Sequence, residues 1–138
     1  AGALAELGIE SEIRVCSAHK AAVFLLDMLK VYESNGRPKV YVTIAGRSNA
    51  LSGLVDAHVL SPSIACPPPS DKYGGADIFS SLRMPSGVAP AVVLEPGNTA
   101  LLAAKILSLS NPELVEAVRG AQTGHRETVI GSDRELNG

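Results

Sequence analysis

The 138 residues carry a formal charge of −2, with 46% apolar and only 4% aromatic side chains. That balance excludes a basic nucleic-acid surface and a polybasic membrane patch, and no apolar run approaches the ~18 residues of a membrane span. The length suits one core of real size, and with so few aromatics it must be built from Ala, Val, Ile and Leu, the usual filling of parallel sheets.

In chain order, residues 1–8 read as the end of an amphipathic helix, with Leu4 and Leu7 on one face and Gly8 as the stop. An α/β domain seldom opens in mid-helix, so a strand, its loop and the start of this helix are expected to precede it. Residues 9–16 alternate Ile13 and Val15 against Glu12 and Arg14, the pattern of a strand with one wetter face. Residues 21–35 are helical, with Val23, Leu26, Leu29 and Tyr32 recurring at three-residue spacing until Gly36 and Pro38 end the element. Residues 40–45 form a short buried strand, and residues 49–59 a helix capped by Ser48 or Asn49.

Residues 63–66 are a further strand, stopped by the extended loop Pro67-Pro68-Pro69-Ser70-Asp71. A short helix over 78–83 ends before Pro85, a last strand spans 91–94, and an Ala/Leu-rich helix covers 98–109. Asn111 caps a final helix that starts at Pro112 and runs towards Arg119. With no repeat and no linker, residues 1–138 are expected to form one domain. Alternating strands and helices predict an α/β fold, a three-layer α/β/α sandwich with a doubly wound parallel sheet. The final helix has no place in that sandwich and is expected to pack on a neighbouring subunit. Cys16 and Cys66 end apolar runs and belong to no CxxC or Cys/His cluster, so both are expected to be free thiols of a cytoplasmic protein.

Two strand ends carry the chemistry: Ser17-Ala18-His19-Lys20 and Ala45-Gly46-Arg47-Ser48-Asn49. In an open parallel sheet, ligands bind beyond the carboxyl ends of the strands. Histidine is the side chain suited to moving protons at neutral pH, although an isolated histidine more often has a structural role. Lys20, just ahead of a helix, makes an anion site with the helix N-terminus, or is an ordinary solvated lysine. Gly46 lets backbone amides approach a ligand closely, and Ser48 can donate to a carboxylate. Arg47 either clamps a carboxylate or phosphate bidentately or pairs with an acid at a subunit contact. Asn49 is a ligand contact or a helix cap. His58 and His125 have no companion pattern and are expected to be structural or exposed. The 67–71 loop with Gly74-Gly75 forms either a cover over the site or an ordinary crossover, and the Arg83-Met84-Pro85-Ser86-Gly87 turn suggests no mechanism of its own.

These two turns, together with Cys66-Pro67-Pro68-Pro69 and Ser80-Ser81-Leu82-Arg83-Met84-Pro85-Ser86-Gly87, closely resemble the PurE family of aminoimidazole ribonucleotide carboxylases over the whole chain. The resemblance implies a flavodoxin-like sandwich and a cytoplasmic homo-octamer or tetramer with sites at subunit contacts. Class I members, the N5-carboxyaminoimidazole ribonucleotide mutases, usually read Ser-Ala-His-Arg at the first turn and carry a second histidine in an Ala-Ala-His-Leu segment. Lys20 and Arg47-Ser48-Asn49-Ala50-Leu51 look instead like class II, which uses CO2 directly and is also found fused in animals.

By that resemblance the substrates are 5-aminoimidazole ribonucleotide and CO2, with no ATP, biotin or metal. His19 is implied as the proton carrier at C4 and Ser17 as a nucleotide contact. Lys20, Ser48 and the Gly46 region are implied to hold CO2, with Ala18, Ala45, Arg47 and Asn49 completing the substrate site. The family's phosphate-binding Gly-Ser-x-Ser-Asp loop, and the first strand that lies inside its sheet, are expected ahead of residue 1. Two alternatives are the class I mutase and a non-catalytic nucleotide-binding subunit.

Overall fold

The structure, a computed structural model, describes residues 1–138. Three short strands, β1 (Tyr41–Thr43), β2 (Ser63–Ala65) and β3 (Ala91–Val92), form a parallel sheet in the order β1-β2-β3. The register sets Val42 beside Ile64 and Ala65 beside Val92. Backbone bonds extend the ladder at both ends: Tyr41 N–H donates to Pro62 at 2.9 Å, and Cys66 N–H to Thr43 at 2.8 Å. The central strand is buried along its whole length, as an apolar run covered on both faces must be.

Six helices flank the sheet: α1 (Gly2–Glu6), α2 (Ala22–Glu33), α3 (Ala50–Asp56), α4 (Phe79–Leu82), α5 (Pro96–Ser108) and α6 (Glu113–Asn137). Leu25 and Leu29, four apart on α2, meet Val55 of α3 in a buried cluster that Cys16, Ala18, Met28, Tyr41, Leu51, Leu54 and Val59 surround. On α5 the buried face is Thr99, Ala100, Ala103 and Ala104, small residues that let the helix backbone come close to its neighbours. Both cysteines are free, Cys66 buried beneath the strand ends and Cys16 half-buried. No helix is long and apolar enough to cross a membrane.

The α/β build agrees with the alternation read from the sequence, but one expected strand is absent. Residues 9–16 run extended and form no ladder with the sheet. A period-two pattern makes a strand only when a neighbouring strand takes its backbone bonds, and here none does. Side chains hold the segment to α2 instead. The Tyr32 hydroxyl donates to Glu12 at 2.5 Å, and Arg14 donates to the Tyr32 oxygen at 3.0 Å and to Glu12 at 3.2 Å. The face expected to be wetter is thus the engaged one, while Ile13 and Val15 stand open, 74% and 92% exposed. Two other boundaries shift. Proline at the first turn starts α5 at Pro96 rather than at 98. The last helix, with Asn111 Oδ1 accepting from Glu113 N–H at 3.2 Å, continues to Asn137 rather than stopping near Arg119.

Glu33, the last residue of α2, ties that helix to the sheet. Its carboxylate accepts from the Tyr41 hydroxyl at 3.0 Å, from Leu60 N–H at 2.8 Å, and from the backbone N–H and hydroxyl of Ser61 at 3.3 and 2.9 Å. Burial opposes its ionisation, yet these donors outweigh burial and hold the carboxyl below its ordinary value. A carboxylate depressed in the folded state adds stability above its unfolded pKa, near ~4.3, and loses it as pH falls through the lower folded value. Glu33→Ala is expected to cost about 2 kcal/mol at neutral pH by urea unfolding, the worth of hydrogen bonds to a charged acceptor. The gap between variant and wild type should narrow as pH falls below ~4.

Candidate functional site

The first turn follows the extended segment and leads into α2. Ser17 shapes it twice: its carbonyl accepts from Ala21 N–H at 2.8 Å and its hydroxyl from Lys20 N–H at 3.3 Å. That compact turn leaves Ser17 and Ala18 half-buried against the core and pushes His19 and Lys20 into solvent. The His19 ring bonds nothing else in the chain. Lys20 makes no ion pair; the chain's three are Glu12–Arg14, Asp27–Lys30 and Glu116–Arg119, all exposed.

The second turn leaves β1 and enters α3. Its left-handed residue is not Gly46 but Arg47, at φ +58°. A non-glycine residue there costs about 1–2 kcal/mol and persists only where its surroundings hold it. A Cβ at Gly46 would meet Pro68 at 3.5 Å and Asp77 at 3.9 Å, ordinary van der Waals contact. The proline loop therefore lies directly over this turn. Arg47 N–H donates to the Asp77 carboxylate at 2.9 Å. The Ser80 hydroxyl lies 2.6 Å from the Arg47 carbonyl and accepts from Asn49 N–H at 3.0 Å. The Arg47 side chain and Ser48 remain exposed, and Arg47 has no acidic partner within the chain.

Of the two roles open to Asn49, the structure shows the cap. It is 5% exposed, and its Oδ1 accepts from Ser52 N–H at 3.1 Å at the start of α3. Its Nδ2 donates to Ser52 and Ser81 hydroxyls at 2.8 and 2.9 Å, and Ser52 in turn meets the Thr43 hydroxyl at 2.7 Å. This buried polar chain joins β1, α3 and α4, and no buried side-chain nitrogen or oxygen in the protein lacks a partner. With every donor and acceptor engaged, the Asn49 side chain anchors the turn and offers nothing outward.

Ala18 of the first turn and Asn49 of the second, with Ala22 of α2 and Ala50 and Gly53 of α3, line one open groove of about 470 Å³. Ser80, Arg83, Met84, Pro85 and Val88 close its far side. Each turn thus gives one residue to this groove, while His19, Lys20, Arg47 and Ser48 are exposed to solvent and lie outside its lining. Ala45 sits half-buried behind them at the end of β1. The other histidines stand apart: His58 Nδ1 bonds the Leu54 carbonyl at 2.8 Å at the end of α3, and His125 is exposed on α6. No cluster of three His, Cys, Asp or Glu side chains gathers anywhere in the chain. Sequence reasoning missed Asp77, Ser80 and Ser81 as neighbours of the second turn. They lie some thirty positions on, and local spacing carries no sign of the contact.

A parallel sheet with a polar turn beyond the carboxyl end of β1, and a second polar turn leading into α2, has the build of an open α/β enzyme. Comparison with known proteins narrows that class. The profile of the AIR carboxylase family matches residues 1–128. The phosphoribosylaminoimidazole carboxylase of Treponema denticola is 55% identical over 136 residues, covering 99% of this chain and 86% of that protein. The enzyme of the same name from Archaeoglobus fulgidus is 52% identical over 136 residues, covering 99% and 74%. The human bifunctional phosphoribosylaminoimidazole carboxylase/phosphoribosylaminoimidazole succinocarboxamide synthetase is 43% identical over 109 residues, 79% of this chain and 26% of that one. The crystal structure of Treponema denticola PurE superposes with a TM-score of 0.95, covering 98% of this chain and 85% of that chain. The chain belongs to the AIR carboxylase family, the carboxy-lyases of purine biosynthesis.

Proposed function

We propose that this protein is a single-domain carboxylase that joins CO2 directly to C4 of 5-aminoimidazole ribonucleotide, with His19 as the proton carrier. One observation carries the reading. The second turn, Ala45-Gly46-Arg47-Ser48-Asn49, contains no histidine, which leaves His19 as the histidine of the two turns. The aminoimidazole ring is an enamine, nucleophilic at C4. Its electron pair attacks the CO2 carbon, one C–O π pair moves onto oxygen, and C4 becomes tetrahedral with both hydrogen and carboxylate attached. His19 takes that proton, the C–H pair returns to the ring, and aromaticity is restored.

The groups around that step suit their tasks. Ser48 and the backbone at Ala45 and Gly46 hold the CO2 oxygens, where negative charge develops. Lys20, next to the start of α2, adds positive charge, and the unpaired Arg47 guanidinium clamps a carboxylate or phosphate. Ser17 and Ala18 meet the nucleotide. The exposed apolar residues of α2 and α6, among them Val23, Phe24, Val31, Val129 and Ile130, suit burial between subunits of a cytoplasmic homo-octamer or tetramer.

The test is a choice of substrates. Formation of the 4-carboxylate is followed with 5-aminoimidazole ribonucleotide plus CO2, and separately with the N5-carboxylated nucleotide. Turnover of the first pair is expected. Turnover of the N5-carboxylated nucleotide alone would make the protein a mutase, and binding of the nucleotide without turnover of either would make it a non-catalytic subunit.

A further inference from the structure

Asp77 and Ser80 contact the second turn yet belong to none of the motifs assigned a task in the reaction. Three backbone groups of that turn end on them. Asp77 accepts from Arg47 N–H at 2.9 Å, while one hydroxyl, that of Ser80, reaches the Arg47 carbonyl at 2.6 Å and accepts from Asn49 N–H at 3.0 Å. Ser80 thus holds the chain on both flanks of Ser48. Its position is itself set, because its oxygen also lies 2.8 Å from the Asp77 carbonyl one turn earlier. The residue so held, Arg47, is the one in the left-handed region, which it would leave if released. Asp77 also sits under Gly46, 3.9 Å from where a Cβ would stand, so the two anchors and Pro68 enclose the turn from one side.

We propose that Asp77 and Ser80 are positioning residues which keep the 45–49 turn in the conformation that receives CO2. The proposal rests on the reading of that turn as the CO2 site. When only a fraction of molecules holds the competent conformation, apparent affinity falls by that fraction. Loss of either anchor therefore weakens capture of CO2, while affinity for the nucleotide, assigned to the other turn, is kept.

The experiment measures KM for CO2 and KM for the nucleotide separately in Ser80→Ala, Asp77→Ala, Asp77→Asn and Ser48→Ala, each checked for folding by circular dichroism. Ser80→Ala and Asp77→Ala are expected to raise KM for CO2 about tenfold and to change KM for the nucleotide less than twofold. Asp77→Asn keeps a carbonyl oxygen for Arg47 N–H and is expected to recover to within about threefold of wild type. Should Ser80→Ala not fold, the Asp77 pair carries the same comparison. Unchanged KM for CO2 in Asp77→Ala, a parallel rise in both KM values, or no recovery in Asp77→Asn overturns the proposal. Ser48→Ala separates the two levels. If it raises KM for CO2 and Asp77→Ala does not, the anchors alone are wrong; if it leaves KM for CO2 unchanged, the CO2 reading of the turn falls and the anchors with it.

Discussion

His19→Asn is expected to lower turnover by a factor of about 10³ while changing nucleotide affinity less than about threefold. The size follows from the task. General acid–base transfer by a placed side chain contributes ~10²–10⁴ to a rate. Once the carbon–carbon bond has formed, loss of CO2 returns the substrate, and the only route to the aromatic carboxylated product is removal of the C4 proton. Asparagine can donate and accept hydrogen bonds but cannot take that proton. The nucleotide should still bind, because the His19 ring is exposed and supports no other part of the fold. Steady-state kinetics with CO2 saturating, beside calorimetric titration of the nucleotide, give both quantities. A variant that keeps more than a tenth of wild-type turnover would remove His19 from the mechanism.

The largest loss of stability from a single polar substitution is expected at Asn49. Asn49→Ala removes the cap of α3, worth about 1 kcal/mol. It also strands the Ser52 N–H and the Ser81 hydroxyl in a region that water does not reach, which costs roughly 1–3 kcal/mol more. The sum is about 3 kcal/mol, a large share of the ~5–15 kcal/mol available to a domain of this size. Ser81→Ala breaks only the outer link and leaves one Asn49 N–H unpaired, so about 1 kcal/mol is expected there. Urea unfolding of the two variants should show that order; equal losses would mean that the Asn49–Ser52 half of the network adds nothing.

The two expected effects divide the site into a chemical part and a scaffold part, and the two parts differ in how far the sequence reveals them. The chemical part is local. His19 and Lys20 are adjacent, Arg47 and Ser48 are adjacent, and each pair lies in a small-residue turn just ahead of a helix, so turns with polar tips are legible from spacing alone. The scaffold part is not local. The Asp77 carboxylate and the Ser80 hydroxyl reach the second turn from thirty or more positions away, and serines are too common for their placement to stand out. The same limit explains Asn49. Cap and ligand contact call for the same side chain at the same position, and only the neighbours Ser52 and Ser81 decide between them. It also explains residues 9–16, where alternation describes which side chains share a face but is silent on whether another strand lies alongside.

Taken alone, the amino-acid sequence determined the alternating α/β build, the two turns that bear the polar groups, the free state of Cys16 and Cys66, and the family. Each follows from short-range periodicity, from turn chemistry, or from motifs that are contiguous in the chain. The tertiary structure decided which face of residues 9–16 is engaged, where the left-handed residue of the second turn falls, and that Asn49 points inward. It also decided that Asp77, Ser80 and Pro68 enclose that turn. These depend on contacts between segments far apart in the chain, and such contacts exist only once the sheet and its helices have packed.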